Sequence, residues 1–269
     1  MLNIQTAQVG IIGVGNMGEA LLSALLKAGA DSTKINFAVR RAERSAEISA
    51  KYGITAATLE AMAEQSDVLM IIVKPQDLET VMVKIKPKLK SGALIISFLA
   101  GKKIATLESG LGNNPAVARV MPNTPTLLGA GMSIISFGDH VRADQKKYVE
   151  YFLRAAGKII EVDESLQDAA AATSGSGPAY FFAFVEAMVS GAVEMGIDQG
   201  TATELVTQTI IGAAKMLAES GKSATTLREN VTSPHGMTFE GLKVFSESGL
   251  NELVARAMKA AADRSREMA

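Results

Sequence analysis

Apolar residues along this chain follow two different patterns, and the change falls near Asp163. Up to that point they gather in short runs at 9–12, 37–39, 68–73, 93–99 and 117–121, separated by amphipathic stretches. Residues 134–137 and 158–162 form two further candidate runs. Short runs without strict alternation read as strands covered on both faces, and the stretches between them read as helices. The first half therefore predicts βαβ units and a mostly parallel sheet. After Glu164 no strand pattern remains. Residues 179–195 are apolar almost all round, which predicts a helix buried against other helices or a partner chain. Pro178 suits its first turn and Gly196 its stop. Further helices are predicted over 201–220, 227–230, 239–246 and 250–267. The chain reads as α/β with two domains, 1–163 and 164–269.

Strand 9–12 runs into Gly13-Val14-Gly15-Asn16-Met17-Gly18, a G-x-G-x-x-G opening a helix. Gly13 permits the tight turn, Gly15 admits a pyrophosphate to the backbone, and Gly18 lets helix and strand pack closely. Phosphate charge then sits at the helix start formed by Asn16 and Met17. This makes 1–163 a Rossmann-like dinucleotide-binding domain. NAD enzymes carry an acidic residue after the second strand, whereas this chain has Phe37-Ala38-Val39-Arg40-Arg41. Two guanidiniums suit a 2′-phosphate, so NADPH is the expected coenzyme and NADH the alternative. Val73, Lys74 and Pro75 end the 68–73 strand at the edge where such sheets bind ligands. Ala100 is assigned to the same cofactor edge.

Composition narrows the partners. Net charge is −1, from 27 basic and 28 acidic residues, which gives no electrostatic footprint for nucleic acid or an anionic membrane. With no Cys, thiol nucleophiles, thiolate metal sites and disulfides are excluded, and a reducing cytoplasm is the compatible compartment. No apolar run is long enough to span a membrane, and the first residues lack the basic region of a secretory signal. A small-molecule substrate is expected.

The Gly13 loop, Val73-Lys74-Pro75-Gln76, Arg119-Val120-Met121-Pro122-Asn123-Thr124-Pro125 and Ser174-Gly175-Ser176-Gly177-Pro178-Ala179-Tyr180 occur in this order. With Val231-Thr232-Ser233-Pro234-His235-Gly236-Met237-Thr238 they resemble pyrroline-5-carboxylate reductases over nearly the whole chain. The resemblance implies an all-α C-terminal dimerisation domain, and a homodimer (or a larger assembly of dimers) whose helical halves interlock. It implies NADPH-dependent reduction of a cyclic C=N bond, the closing step of proline synthesis. It places the substrate carboxylate on the loop of Ser233, Gly236 and Met237, and gives Thr238 a hydrogen bond to the ring nitrogen. It also puts Asn230 near the cofactor and Glu164 near the substrate amine.

Read without the family, the Ser233–Thr238 loop is a capped connection ahead of a helix, and Glu164 and Asp168 are ordinary acidic residues of a helix starting near Ser165. His140 reads as exposed loop. The fifth segment departs from the family: His235 stands where Gly is usual and Met237 where Thr or Ala is common. A His is awkward if that position needs positive φ. The changes leave open a related cyclic imine acid as substrate, or a catalytically silent NADP-binding protein. A β-hydroxyacid dehydrogenase-like enzyme would need a catalytic Lys on the helix after Pro178, which carries Glu186 and Glu194 and no Lys up to Gly196.

Overall fold

The computed structural model describes residues 1–268 and divides into two compact units. The first comprises Met1–Ser176 with residues 261–268, and the second Gly177–Ala260.

The first unit begins with β1 (Val9–Ile12), α1 (Asn16–Lys27), β2 (Ile35–Ala38), α2 (Ala42–Tyr52) and β3 (Thr55–Ala56). It continues with α3 (Leu59–Gln65), β4 (Val68–Ile71), α4 (Leu78–Ile85), β5 (Leu94–Ser97), α5 (Ile104–Leu111) and β6 (Ala116–Pro122). β7 (Gly131–Phe137), α6 (Ala143–Arg154), β8 (Gly157–Glu161) and the short α7 (Gln167–Ala170) follow. The strands form one sheet in the order β3-β2-β1-β4-β5-β6-β7-β8, parallel throughout except where β7 runs antiparallel to β6. The order reverses beside β1, which leaves a crevice at the carboxyl edge between β1 and β4, where open α/β sheets bind ligands.

The strands carry runs of apolar residues because each face meets a different helical layer. Val68 and Met70 of β4 join Leu21, Leu25 and Phe152 on one side. Leu69 and Ile71 join Leu78, Ile85 and Leu107 on the other. Seven strands lie where the hydrophobic runs place them. β3 left no such signal, since its two residues are exposed.

Beyond the expected boundary at Asp163 the chain stays fastened to the sheet. The fully buried Gln167 donates from Nε2 to Ser136 Oγ at 3.0 Å, and Ser136 Oγ donates to Val162 O at 2.7 Å. Asn123 donates to Ser174 O at 3.1 Å and accepts from Met132 N at 2.8 Å. These side-chain bonds tie residues just beyond that boundary to the sheet, within the first compact unit.

The second unit contains α8 (Gly177–Glu194), α9 (Gln199–Glu219), α10 (Ala224–Asn230), α11 (Met237–Glu247) and the first part of α12 (Leu250–Glu267). α8 stops at Gly196, whose φ is +96°. Its interior is small: Val189, Ala202 and Val206, with Val185, Ala192 and Ile197 around them. Phe181 is 64%, Phe182 62% and Phe184 43% exposed, so the apolar surface of α8 is uncovered within the chain. Among the described residues no helix is long and apolar enough to cross a membrane.

Candidate active site

Each glycine of the first loop has its own physical reason. Gly13 has φ +97°, and a Cβ there would lie 2.4 Å from Ile72 O. A Cβ on Gly18 would lie 2.2 Å from Gly13 O, so that position sets how closely α1 packs on the loop. Gly15 has nothing within 4 Å of where a Cβ would stand. Its open face borders a cavity of about 800 Å³ lined by Gly13, Gly15, Arg40, Arg41, Val73 and Lys74 among others. Gly15 is the N-cap of α1 and no side chain caps that helix, so the amides of Asn16, Met17 and Gly18 remain for a ligand. A clear approach to backbone, free amides and a helix N-terminus fit a pyrophosphate.

Cations ring the far end of this cavity in three different states. Arg41 is the N-cap residue of α2, where its carbonyl accepts from Ser45 N at 3.0 Å, and its side chain makes no ion pair or hydrogen bond among the described residues. Arg40 is paired with Asp77. Arg44 is committed: it donates from Nε to Val14 O at 3.1 Å, pairs with Glu47 at 2.6 Å and is ion-paired with Glu19. Glu19 in turn accepts from Lys51 at 2.7 Å and Tyr52 at 2.8 Å. The Lys51 ammonium, with the Arg44 guanidinium and Tyr52 hydroxyl, holds the Glu19 carboxyl at about 2, against an opposing cost of desolvation.

Asp77, Thr80, Val81 and Lys84 also line the cavity, and none was singled out from sequence. Their spacing of three, four and seven is one face of α4 and the turn before it, a signal that was present. Arg44 follows Arg41 by three residues on α2 for the same reason. Asn16, Met17, Gly18, Pro75 and Ala100 border the loops without lining this cavity. Ala100 precedes Gly101, where a Cβ would lie 2.8 Å from Ser265 O, so the end of α12 packs against that loop.

Glu164 and Asp168 do converge, but on a buried cation. Arg119 of β6 pairs with Glu164 at 3.3 Å and Asp168 at 3.0 Å, and is 4% exposed. Two carboxylates on one guanidinium would leave excess negative charge. Ile104 N at the start of α5 donates to Glu164 at 2.7 Å, and Ser265 Oγ donates to Asp168 at 2.7 Å. The helix start and the hydroxyl offset that excess. The expected helix start near Ser165 is instead a 3-10 turn, Glu164–Leu166, leading into α7. Glu164 thus spends one carboxylate oxygen on fastening β6 to α5, a contact invisible to a reading of local spacing. His140 is exposed, as expected of a loop residue.

In the second unit, Ser233 O accepts from Gly236 N at 3.0 Å, closing a turn directly before α11. A Cβ on Gly236 would lie 2.4 Å from Ser233 Oγ, so a larger residue there would turn that hydroxyl aside. His235 has φ +58°: the loop keeps the left-handed turn and His adopts it, with its ring 5.9 Å from that of Phe239. His is among the side chains better tolerated in this region. No side chain caps α11, so the first-turn amides of Met237 and Thr238 face no competing acceptor. Asn230 closes α10 a few residues upstream. The expected substrate loop therefore has the elements of a carboxylate site: free amides, a hydroxyl and a helix N-terminus. Among the described residues no group of His, Asp and Glu is arranged to hold a metal ion.

A doubly wound sheet with an open glycine loop and cationic rim at its switch point defines a protein of the dinucleotide-binding class. Residues 8–101 match the family model described as NADP oxidoreductase coenzyme F420-dependent, and residues 164–268 match pyrroline-5-carboxylate reductase dimerisation. A pyrroline-5-carboxylate reductase of Pseudomonas aeruginosa is 38% identical over 99% of this chain and 98% of its own length. A pyrroline-5-carboxylate reductase structure from Coxiella burnetii is 34% identical with a TM-score of 0.91, covering 98% of this chain and 99% of that one. A pyrroline carboxylate reductase of Plasmodium falciparum, with NADP bound, is 30% identical with a TM-score of 0.87 over 99% of both chains. The chain belongs to the pyrroline-5-carboxylate reductase family.

Proposed function

We propose that this protein reduces 1-pyrroline-5-carboxylate to L-proline with NADPH, NADH serving as a second donor. The observation that carries the reading is the full-length kinship with these reductases, with the open Gly15 face and an Arg41 side chain that has no ion pair among the described residues as its physical complement. The nicotinamide coenzyme supplies a hydride at C4, which passes to the electrophilic carbon of the C=N bond. The protein's part is binding and alignment. Gly15 and the α1 amides receive the pyrophosphate, and Arg41, with Arg40, meets the 2′-phosphate. The α11 amides near Gly236 and Met237 hold the substrate carboxylate beside Ser233, and Thr238 Oγ hydrogen-bonds the ring nitrogen. An imine bound already protonated needs no dedicated acid, so alignment of the two carbons accounts for most of the rate.

The apolar surface of α8 and the match to the dimerisation family support a homodimer. A cytoplasmic location agrees with a chain lacking Cys. Glu164 serves in this reading as a structural anchor first, with its second carboxylate oxygen left for the substrate amine.

The test is NADPH oxidation followed by absorbance with 1-pyrroline-5-carboxylate, with proline identified as product. Thr238→Ala is expected to lower turnover by about 10- to 100-fold, the worth of a hydrogen bond to a charged group, with NADPH affinity unchanged. Unchanged turnover removes Thr238 from the mechanism. NADPH binding without oxidation by any cyclic imine acid favours the silent binding protein, the reading that the His235 and Met237 departures raise.

A further inference from the structure

The geometry points to Asp77 as the residue that sets the balance between NADPH and NADH. This rests on the coenzyme reading above. Among the described residues lining the cavity, Asp77 is the one carboxylate, set against Arg40, Arg41, Arg44, Lys74 and Lys84. It comes from the turn after β4, whereas NAD enzymes place their acidic residue after β2. Here Arg40 stands two residues beyond the end of β2, and it and Asp77 are joined as an ion pair at the cavity rim.

The pair changes what a 2′-phosphate meets. Arg44 is already neutralised by Glu19 and Glu47, so it adds little net charge. Arg40 is neutralised by Asp77, which leaves Arg41, Lys74 and Lys84 as the lining cations without an ion pair among the described residues. A phosphate dianion entering this rim must also approach the Asp77 carboxylate. A ribose 2′-hydroxyl faces no such repulsion, and a carboxylate is the acceptor such hydroxyls use in NAD enzymes. Asp77 therefore weakens NADPH binding and sustains NADH binding. The pair is not a rigid clamp: the Arg40 side chain is 75% exposed, so it is free to turn from Asp77 to a phosphate. Asp77 is also the N-cap residue of α4 without a side-chain capping bond, so changing it removes no helix cap.

Dissociation constants for NADPH and NADH, measured by fluorescence titration of the full chain, test this without turnover. Asp77→Asn is expected to tighten NADPH by about three- to tenfold, the Coulomb effect of one carboxylate near a dianion in a partly screened site. NADH should be unchanged or weaker, and the NADPH gain should shrink as salt rises. In an Arg40→Ala background, where Asp77 stands uncompensated, the same substitution should restore part of the lost NADPH affinity. An unchanged ratio of the two constants overturns the proposal. So does weaker NADPH binding by Asp77→Asn, which would make Asp77 a positioning residue for Arg40. If the unaltered protein binds neither coenzyme, the coenzyme reading fails and this proposal with it.

Discussion

In the sheet unit, Phe37, Phe152 and Leu21 lie sealed between strands and helices, while in the helical unit Phe181 and Phe182 stand more than half exposed. The sheet unit has two core layers, one on each face; the helical unit closes on three buried side chains and their neighbours. The contrast shows a chain with one self-sufficient core and one incomplete core. An apolar surface of this extent on a helix is a protein contact in waiting, and the proposed second copy is what would cover it. It also separates duties: the self-sufficient unit carries the coenzyme cavity, and the incomplete unit carries the proposed substrate loop.

The largest expected effect comes from breaking that contrast. Phe181→Asp with Phe182→Asp should dissociate the assembly, since each buried Phe contributes about 1.5–3 kcal/mol. Light scattering on the purified protein should fall to monomer mass, while NADPH binding by the sheet unit persists. Retained dimer mass would place the interface elsewhere.

Within the sheet unit, two glycines should part company. Gly15→Ala should leave stability unchanged within about 0.5 kcal/mol, since the added Cβ meets nothing, but weaken NADPH about tenfold or more by blocking the backbone. Gly18→Ala should destabilise by about 3 kcal/mol or more, because its Cβ would press on Gly13 O. Thermal melting and coenzyme titration on both variants separate packing from binding; equal effects would erase the distinction.

The smallest effect lies in the helical unit. His235→Gly should relieve left-handed strain, partly offset by the greater freedom of Gly when unfolded, for a net gain of about 1 kcal/mol at most. Urea titration reads it, and a loss of stability would mean that the ring contact with Phe239 outweighs the strain.

Much of this molecule was legible beforehand because its strands are covered on both faces and its glycine loop sits between a strand and a helix. β3 was not, being two exposed edge residues without a pattern. Arg40 and Arg41 were visible as a pair after β2, but their different states were not. Arg40 is held by Asp77, which lies far along the sequence, and the Arg41 side chain has no partner among the described residues. The positive φ at His235 was posed as a question by the replaced glycine, and the backbone shows that the turn is retained.

What followed from the residues alone is what local chemistry dictates: which segments are strands or helices, where a phosphate meets free amides, and which family the motifs resemble. Those features depend on neighbours in sequence, through backbone conformation and periodicity. The tertiary structure decided which charges meet: Arg119 with Glu164 and Asp168, Arg44 with Glu19, Arg40 with Asp77. Charge pairing is decided by side chains from distant segments competing for the same partner, and only the folded sheet brings those segments within reach.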